Sequence, residues 1–260
     1  MTRRNSKRRR SRRITLIYLT VIIVLSGIAF TYQQADKYLQ RQLTRFKLDN
    51  IHITGNHILS RQDILDLCGL PPGKKSLMHV NPITVARQLR QSPFVKNASV
   101  VRSLPATLRI RIEERKPVAF IYGRGLNLID DQGYLLPVPQ KERRWNLPLI
   151  SGIKESLGML GERTTSAKAL KGVEILSYLH FMHSPLYELV SEINMKKWRR
   201  PILRLTRGGA VVKISPDNYQ ENLFILDGYV TKYLNWSELA TIEYIDIRFK
   251  DQLIVKEKRG

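Results

Sequence analysis

The pattern of apolar and polar positions changes character along the chain. Ile14 through Tyr32 is a run of 19 residues without a charge. As a helix rising about 1.5 Å per residue, it spans roughly 28 Å, close to the thickness of a bilayer's hydrocarbon core. Residues 33–46 are polar and helix-prone, and read as a juxtamembrane continuation. From Lys47 the period becomes that of a strand, with Ile51 and Ile53 on alternate positions and Gly55-Asn56 as a turn. Ser60, with Asp63 three residues on, predicts a helix start, and Ile64, Leu65 and Leu67 supply its apolar face. Gly69 ends it, before Pro71-Pro72-Gly73.

Asn81-Pro82 predicts a second helix, cap followed by first-turn proline, with Ile83, Ala86 and Leu89 as its apolar positions at helical spacing. Val95–Arg102 and Thr107–Glu113 follow as strands. In the second, Leu108, Ile110 and Ile112 alternate with Arg109, Arg111 and Glu113. The predicted order is strand, helix, helix, strand, strand. Two helices on one face of a small sheet give one core, and the other sheet face carries charge.

Charge changes the picture at the N-terminus. The chain carries 44 Lys and Arg against 22 Asp and Glu, a net +22 over 260 residues. Eight of the basic residues fall within the first thirteen, next to the apolar run. The positive-inside rule then places residues 1–13 in the cytoplasm and the bulk of the chain outside. Two other readings of this region stand beside the anchor. Gly27-Ile28-Ala29 has the small residues of a cleaved secretory signal. The Arg-rich tail alone also suits a nucleic-acid-binding arm. The apolar run continues past Ala29 to spanning length, which favours an anchor.

Candidate chemistry is sparse. The single cysteine, Cys68, sits among Ile64, Leu65 and Leu67 and reads as a core thiol. There is no P-loop, Gly-x-Ser-x-Gly or His-Glu-x-x-His motif. His180 and His183 share a helix face, but no further ligand completes a metal set at a recognised spacing. Asp130-Asp131 and Glu113-Glu114 are adjacent pairs, which in strands point to opposite faces. The reading is non-enzymatic, with no cofactor and no metal.

One stretch carries a resemblance. Phe94-Val95, Ala98, Val100, Arg102, Pro105, Leu108, Ile110, Ile112-Glu113 and the closing run Glu114-Arg115-Lys116-Pro117-Val118-Ala119 resemble the POTRA domain of the FtsQ/DivIB family of bacterial division proteins. The opening Ile51-His52-Ile53-Thr54-Gly55-Asn56 resembles that domain's first strand and turn. The likeness continues through Leu128–Gly133, Leu147–Gly152, the long helix Ala169–His183, the Gly208-Gly209 turn and Ile245–Phe249. Phe249 stands where the family often has tyrosine.

The resemblance implies an α+β chain. It would comprise a basic tail (1–13), a transmembrane helix (14–32), a linker (33–46), a POTRA domain (47–116) and a C-terminal antiparallel β domain with one long helix (117–260). The expected last strands are Ala210–Ser215, Ile242–Phe249 and Leu253–Lys256. The implied function is a divisome scaffold at the septum of the inner membrane. It would bind FtsB- and FtsL-like proteins, and through them bear on FtsW/FtsI. The implied contact is β-augmentation on the final strand and the turn before it, at Phe249, Asp251, Gln252, Leu253, Ile254 and Val255. Two other functions remain as alternatives: an exported basic protein that binds an anionic polymer or nucleic acid, and a POTRA-containing export component.

Overall fold

The computed structural model describes residues 20, 22–38, 48–70, 76–139, 145–206, 208–232, 238–250 and 252–258. Helix α1 covers residues 22–38 and exposes Ile22, Val24, Ile28 and Phe30. Among the described residues no helix is long and apolar enough to cross a membrane. The expected span at 14–32 lies partly outside the described residues, which lack 14–19 and 21.

The chain forms two compact units. The first takes residues up to Thr54, Arg61–Ala86 and Ser99–Arg111. The second takes Gly55–Ser60, Arg87–Ala98 and everything from Ile112 onward.

The first sheet has the order β1-β3-β2, from β1 (Asn50–Thr54), β2 (Val95–Ser103) and β3 (Thr107–Glu114). Strands β1 and β3 run parallel, from Asn50 opposite Thr107 to Thr54 opposite Arg111. Helices α2 (Arg61–Cys68) and α3 (Pro82–Leu89) fall between β1 and β2 in the chain, as the periodicity predicts. Leu108 and Ile110 are buried with Ile51, Ile64, Leu65, Leu77 and Val80. Arg109 and Arg111 stay outside. Cys68 is buried and free, and burial pushes its thiol up to about 11.

In α3 the apolar positions are not all buried. Asn81 caps the helix through its Oδ1, which accepts from the Ile83 N–H at 3.0 Å. That start leaves Ile83 in the first turn, 68% exposed. Val85, Ala86 and Leu89 are the buried positions instead.

The second unit is built on one sheet of nine strands, ordered β12-β11-β10-β9-β8-β7-β4-β5-β6. Its strands are β4 (Pro117–Tyr122), β5 (Leu126–Asp130), β6 (Leu135–Leu136), β7 (Leu149–Ser151), β8 (Val190–Asn194), β9 (Ile202–Leu205), β10 (Val211–Lys213), β11 (Ile242–Asp246) and β12 (Ile254–Glu257). Two expectations fail here. The sheet is mixed rather than antiparallel, because β4–β7, β7–β8 and β10–β11 pair in parallel. The intervening chain must cross over to make such pairs: helices lie in the β7–β8 and β10–β11 crossovers, and strands β5 and β6 in the β4–β7 one. The unit also holds two long helices, not one: α4 (Ala167–Phe181) and α6 (Tyr219–Lys232), besides the single-turn α5 (Leu186–Leu189). Helix α6 is the crossover between β10 and β11. It buries Tyr219, Leu223, Leu226 and Val230, at helical spacing, in the unit's main core.

Ser166 caps α4, its side chain accepting from the Ala169 N–H at 3.2 Å. Gly172 lets this helix lie close to the sheet: a Cβ there would meet Ile150 Cγ2 at 3.1 Å. The expected hairpin at Gly208-Gly209 is present. Both glycines have positive φ, and β9 and β10 pair antiparallel.

Two buried charges organise this unit. Glu114 accepts from the N–H groups of His57, Ile58 and Leu59 at 2.7, 2.6 and 2.8 Å. Arg115 pairs with Asp130 at 2.8 Å and lies over the Tyr134 ring at 3.4 Å. A satellite core of Phe94, Leu128 and Leu136, with Trp145 and Phe120 packed on it, accompanies them.

Candidate functional site: the free edge of the large sheet

Strand β12 forms one end of the nine-stranded sheet, so one of its edges has no strand beside it among the described residues. It pairs antiparallel with β11, Ile245 opposite Val255 and Asp246 opposite Ile254, with a register shift between Ile242 and Tyr244. The direction of each backbone group follows from two hydrogen bonds. The Lys258 N–H donates to Thr241 O at 2.8 Å, so Lys258 turns its backbone toward β11. On the far side of β11, the Ile247 N–H donates to Lys213 O at 3.0 Å. Ile247 and Ile245 therefore face β10, and Tyr244 and Asp246 face β12. Backbone direction alternates along a strand. Lys256 and Ile254 thus bond to β11, while Val255 and Glu257 turn their N–H and C=O groups outward.

Side chains alternate as well. Leu253 and Val255 are half-buried and pack against the main core. Ile254 and Phe249 are 43% and 49% exposed, and Gln252 is exposed. Asp251 lies outside the described residues. The structure therefore places Ile254 and Val255 on the edge strand, Leu253 immediately before it and Phe249 in the turn that precedes them.

Ionic contacts hold this edge in place. The Arg248 guanidinium forks onto the Asp246 carboxylate at 2.8 and 2.6 Å. That hydrogen bonding holds the Asp246 carboxyl below the ordinary carboxylate value. Lys256 reaches Glu243 at 2.8 Å, and this partner raises the ammonium's pKa. Lys258 Nζ donates to the carbonyls of Gly208 and Ala240 at 2.9 and 2.8 Å, tying down the end of β12. The Tyr244 ring lies between Lys213 Nζ at 3.4 Å and Lys256 Nζ at 5.6 Å. Sequence reasoning missed the Asp246–Arg248 fork. Arg248 lies two residues past Asp246, where β11 ends, so strand alternation alone does not place it.

The other candidate chemistry disperses. Among the described residues, no group of three or more His, Cys, Asp or Glu could hold a metal ion. His180 lies against the Tyr187 ring at 4.8 Å, and His183 occupies a left-handed conformation at φ 52°. Asp130 is buried in its pair with Arg115, while Asp131 is exposed in a turn. Glu113 points outward to Lys96 at 3.1 Å, and Glu114 points inward.

Comparison with known proteins decides the family. Residues 46–115 match the family model described as POTRA domain, FtsQ-type. Residues 119–248 match the one described as cell division protein FtsQ/DivIB, C-terminal. The chain belongs to the FtsQ/DivIB family of cell division proteins. It is 31% identical over 215 residues to the cell division protein FtsQ of Geotalea daltonii, covering 82% of this chain and 77% of that protein. The FtsQ of Geobacter sp. (strain M21) is 29% identical over 89% of this chain and 83% of its own length. The DivIB of Bacillus subtilis matches a shorter stretch, 28% identical over 42% of this chain and 36% of its own length. Strand β12 lies beyond the residues that the FtsQ/DivIB C-terminal model matches.

Proposed function

We propose that this FtsQ/DivIB-family chain is a non-enzymatic scaffold of the division septum. Its proposed anchor is a single inner-membrane helix at 14–32, with residues 1–13 in the cytoplasm and the bulk in the periplasm. The exposed apolar side chains of α1 support an anchor, because they are costly in water. FtsB- and FtsL-like proteins are the proposed partners, and FtsW/FtsI are affected through them. The partner adds an extended segment to β12.

The observation that carries this reading is the outward main chain at Val255 and Glu257, beside half-buried Leu253 and Val255 and exposed Ile254. Open N–H and C=O groups on a sheet edge are a template for another strand.

Two proline substitutions test it. Val255→Pro removes an outward N–H, which an edge strand tolerates. Ile254→Pro removes an inward one and disturbs the β11 pairing itself. Val255→Pro is therefore expected to weaken capture of an FtsB/FtsL-like partner about tenfold or more while the sheet stays folded. Normal partner capture by Val255→Pro would sink the reading.

A further inference from the structure

The open face of the first sheet is a second surface, separate from β12. A shallow trough of about 590 Å³ lies on it, lined by His52, Thr54, Ser99, Thr107, Arg109 and Arg111 among others. All of these residues belong to the first unit. Strand alternation places them there. Leu108 and Ile110 take the core side, so Arg109 and Arg111 both take the open side. The parallel register sets His52 beside Arg109 and Thr54 beside Arg111.

No ion pair reaches either guanidinium among the described residues, and no carboxylate lines the trough. Other exposed charges of the chain do find acids: Lys96 has Glu113, and Arg204 has Glu192 at 3.2 Å. The trough's hydroxyls add further donors. Among the described residues no Phe, Tyr or Trp lines it, and the His52 ring alone offers little stacking surface, which disfavours sugars and stacked nucleobases. Its concave form disfavours a flat bilayer.

We propose that this trough binds an acidic peptide segment of a partner protein, in extended conformation, with Asp or Glu at alternate positions. The spacing carries the assignment. Side chains two apart on a strand lie roughly 6.6 Å apart on one face. Arg109 and Arg111 have that separation along β3, and so do carboxylates at i and i+2 of an extended ligand. Each guanidinium can take one carboxylate with two parallel hydrogen bonds, while the Thr54 and Thr107 hydroxyls take the remaining oxygens. The segment lies on the face of this sheet, whereas β12 belongs to the other sheet.

The test uses the full chain in zwitterionic micelles and a fluorescein-labelled octapeptide alternating glutamate and threonine. Arg109→Gln with Arg111→Gln is expected to weaken binding about tenfold or more. The charge-matched control is Arg199→Gln with Arg200→Gln, in an exposed turn, which should change it less than twofold. Arg109→Lys with Arg111→Lys keeps the charge but loses the fork, and should fall between. The octapeptide with glutamine for glutamate should not bind. Equal loss in both glutamine pairs would reduce the effect to net charge and overturn the proposal. So would undiminished binding of the glutamine octapeptide. Displacement of the peptide by phosphatidylglycerol doped into the micelles, lost on the Arg109/Arg111 change, would reassign the face to lipid headgroups. Partner capture through β12 should be unaffected by that change, which separates this proposal from the edge reading.

Discussion

The two sheets of this chain share a plan and differ in how they treat charge. Each packs a face on a core, and the large sheet also buries Leu128 and Leu136, on its other face, in the satellite cluster with Phe94. On the large sheet, several outward charges are paired internally. Glu192 holds Arg204, Ser151 and Asn194; Asp246 holds Arg248; Glu243 holds Lys256. What that sheet leaves open is backbone, at the edge of β12. On the small sheet, Arg109 and Arg111 have no such acids among the described residues. A net charge of +22 says only that the chain attracts anions. The distribution of acids says which cations are already used and which are available.

That contrast can be broken by experiment, beginning with charge that is paired and buried. Asp130 is 2% exposed and Arg115 10%. Asp130 also accepts from the N–H groups of Gln132 and Tyr134 at 3.0 and 2.7 Å. Asp130→Ala leaves a buried guanidinium without its carboxylate, so urea unfolding should show a loss of about 3–5 kcal/mol. A loss under about 1 kcal/mol would mean that the pair is not structural.

The next effect is apolar. Leu223 on α6 is fully buried in the main core. Leu223→Ala should cost about 2–4 kcal/mol in the same measurement, through lost transfer energy plus the cavity left behind.

Helix α6 also shows what the sequence did and did not make legible. Its apolar residues, Tyr219, Leu223, Leu226 and Val230, carry a helical period that a fuller scan of 216–232 would have detected. The first sheet was legible because turn signals and alternation sit close together from Ile51 to Glu113. Parallel pairings such as β4–β7 were not, because they join residues far apart in the chain. The same distance hid the cradle of Glu114, whose donors lie 55 to 57 residues away. At the candidate edge, the resemblance named Leu253, Ile254 and Val255, and of these Leu253 and Val255 pack on the core. Which N–H groups face outward required the register with β11 and β10.

A smaller, pH-dependent effect separates Asp246 from the open face. Its folded pKa is depressed, chiefly by the Arg248 hydrogen bonds. The stabilisation is therefore complete above the ordinary aspartate range and is lost as pH falls through the lower folded value. At neutral pH, Asp246→Asn should cost about 1–2 kcal/mol, discounted because Arg248 is partly exposed. The difference from the parent chain should shrink as thermal melts are taken below about pH 4. A gap that stays constant down to pH 2 would assign the loss to packing.

The smallest effect belongs to the small sheet's open face. Arg109→Gln with Arg111→Gln removes two exposed charges that make no ion pair among the described residues. Stability should stay within about 0.5 kcal/mol of the parent. A larger loss would show that these guanidinia are structural, and the contrast between the sheets would fail.

The most direct measurement of the central claim is amide hydrogen exchange along β12. In the chain alone, Ile254, Lys256 and Lys258 N–H groups should be protected by β11, while Val255 and Glu257 exchange freely. On adding the FtsB/FtsL-like partner, Val255 and Glu257 should become protected. If those two amides are already protected without partner, or remain unprotected when the partner is bound, the edge of β12 is not where a strand is added.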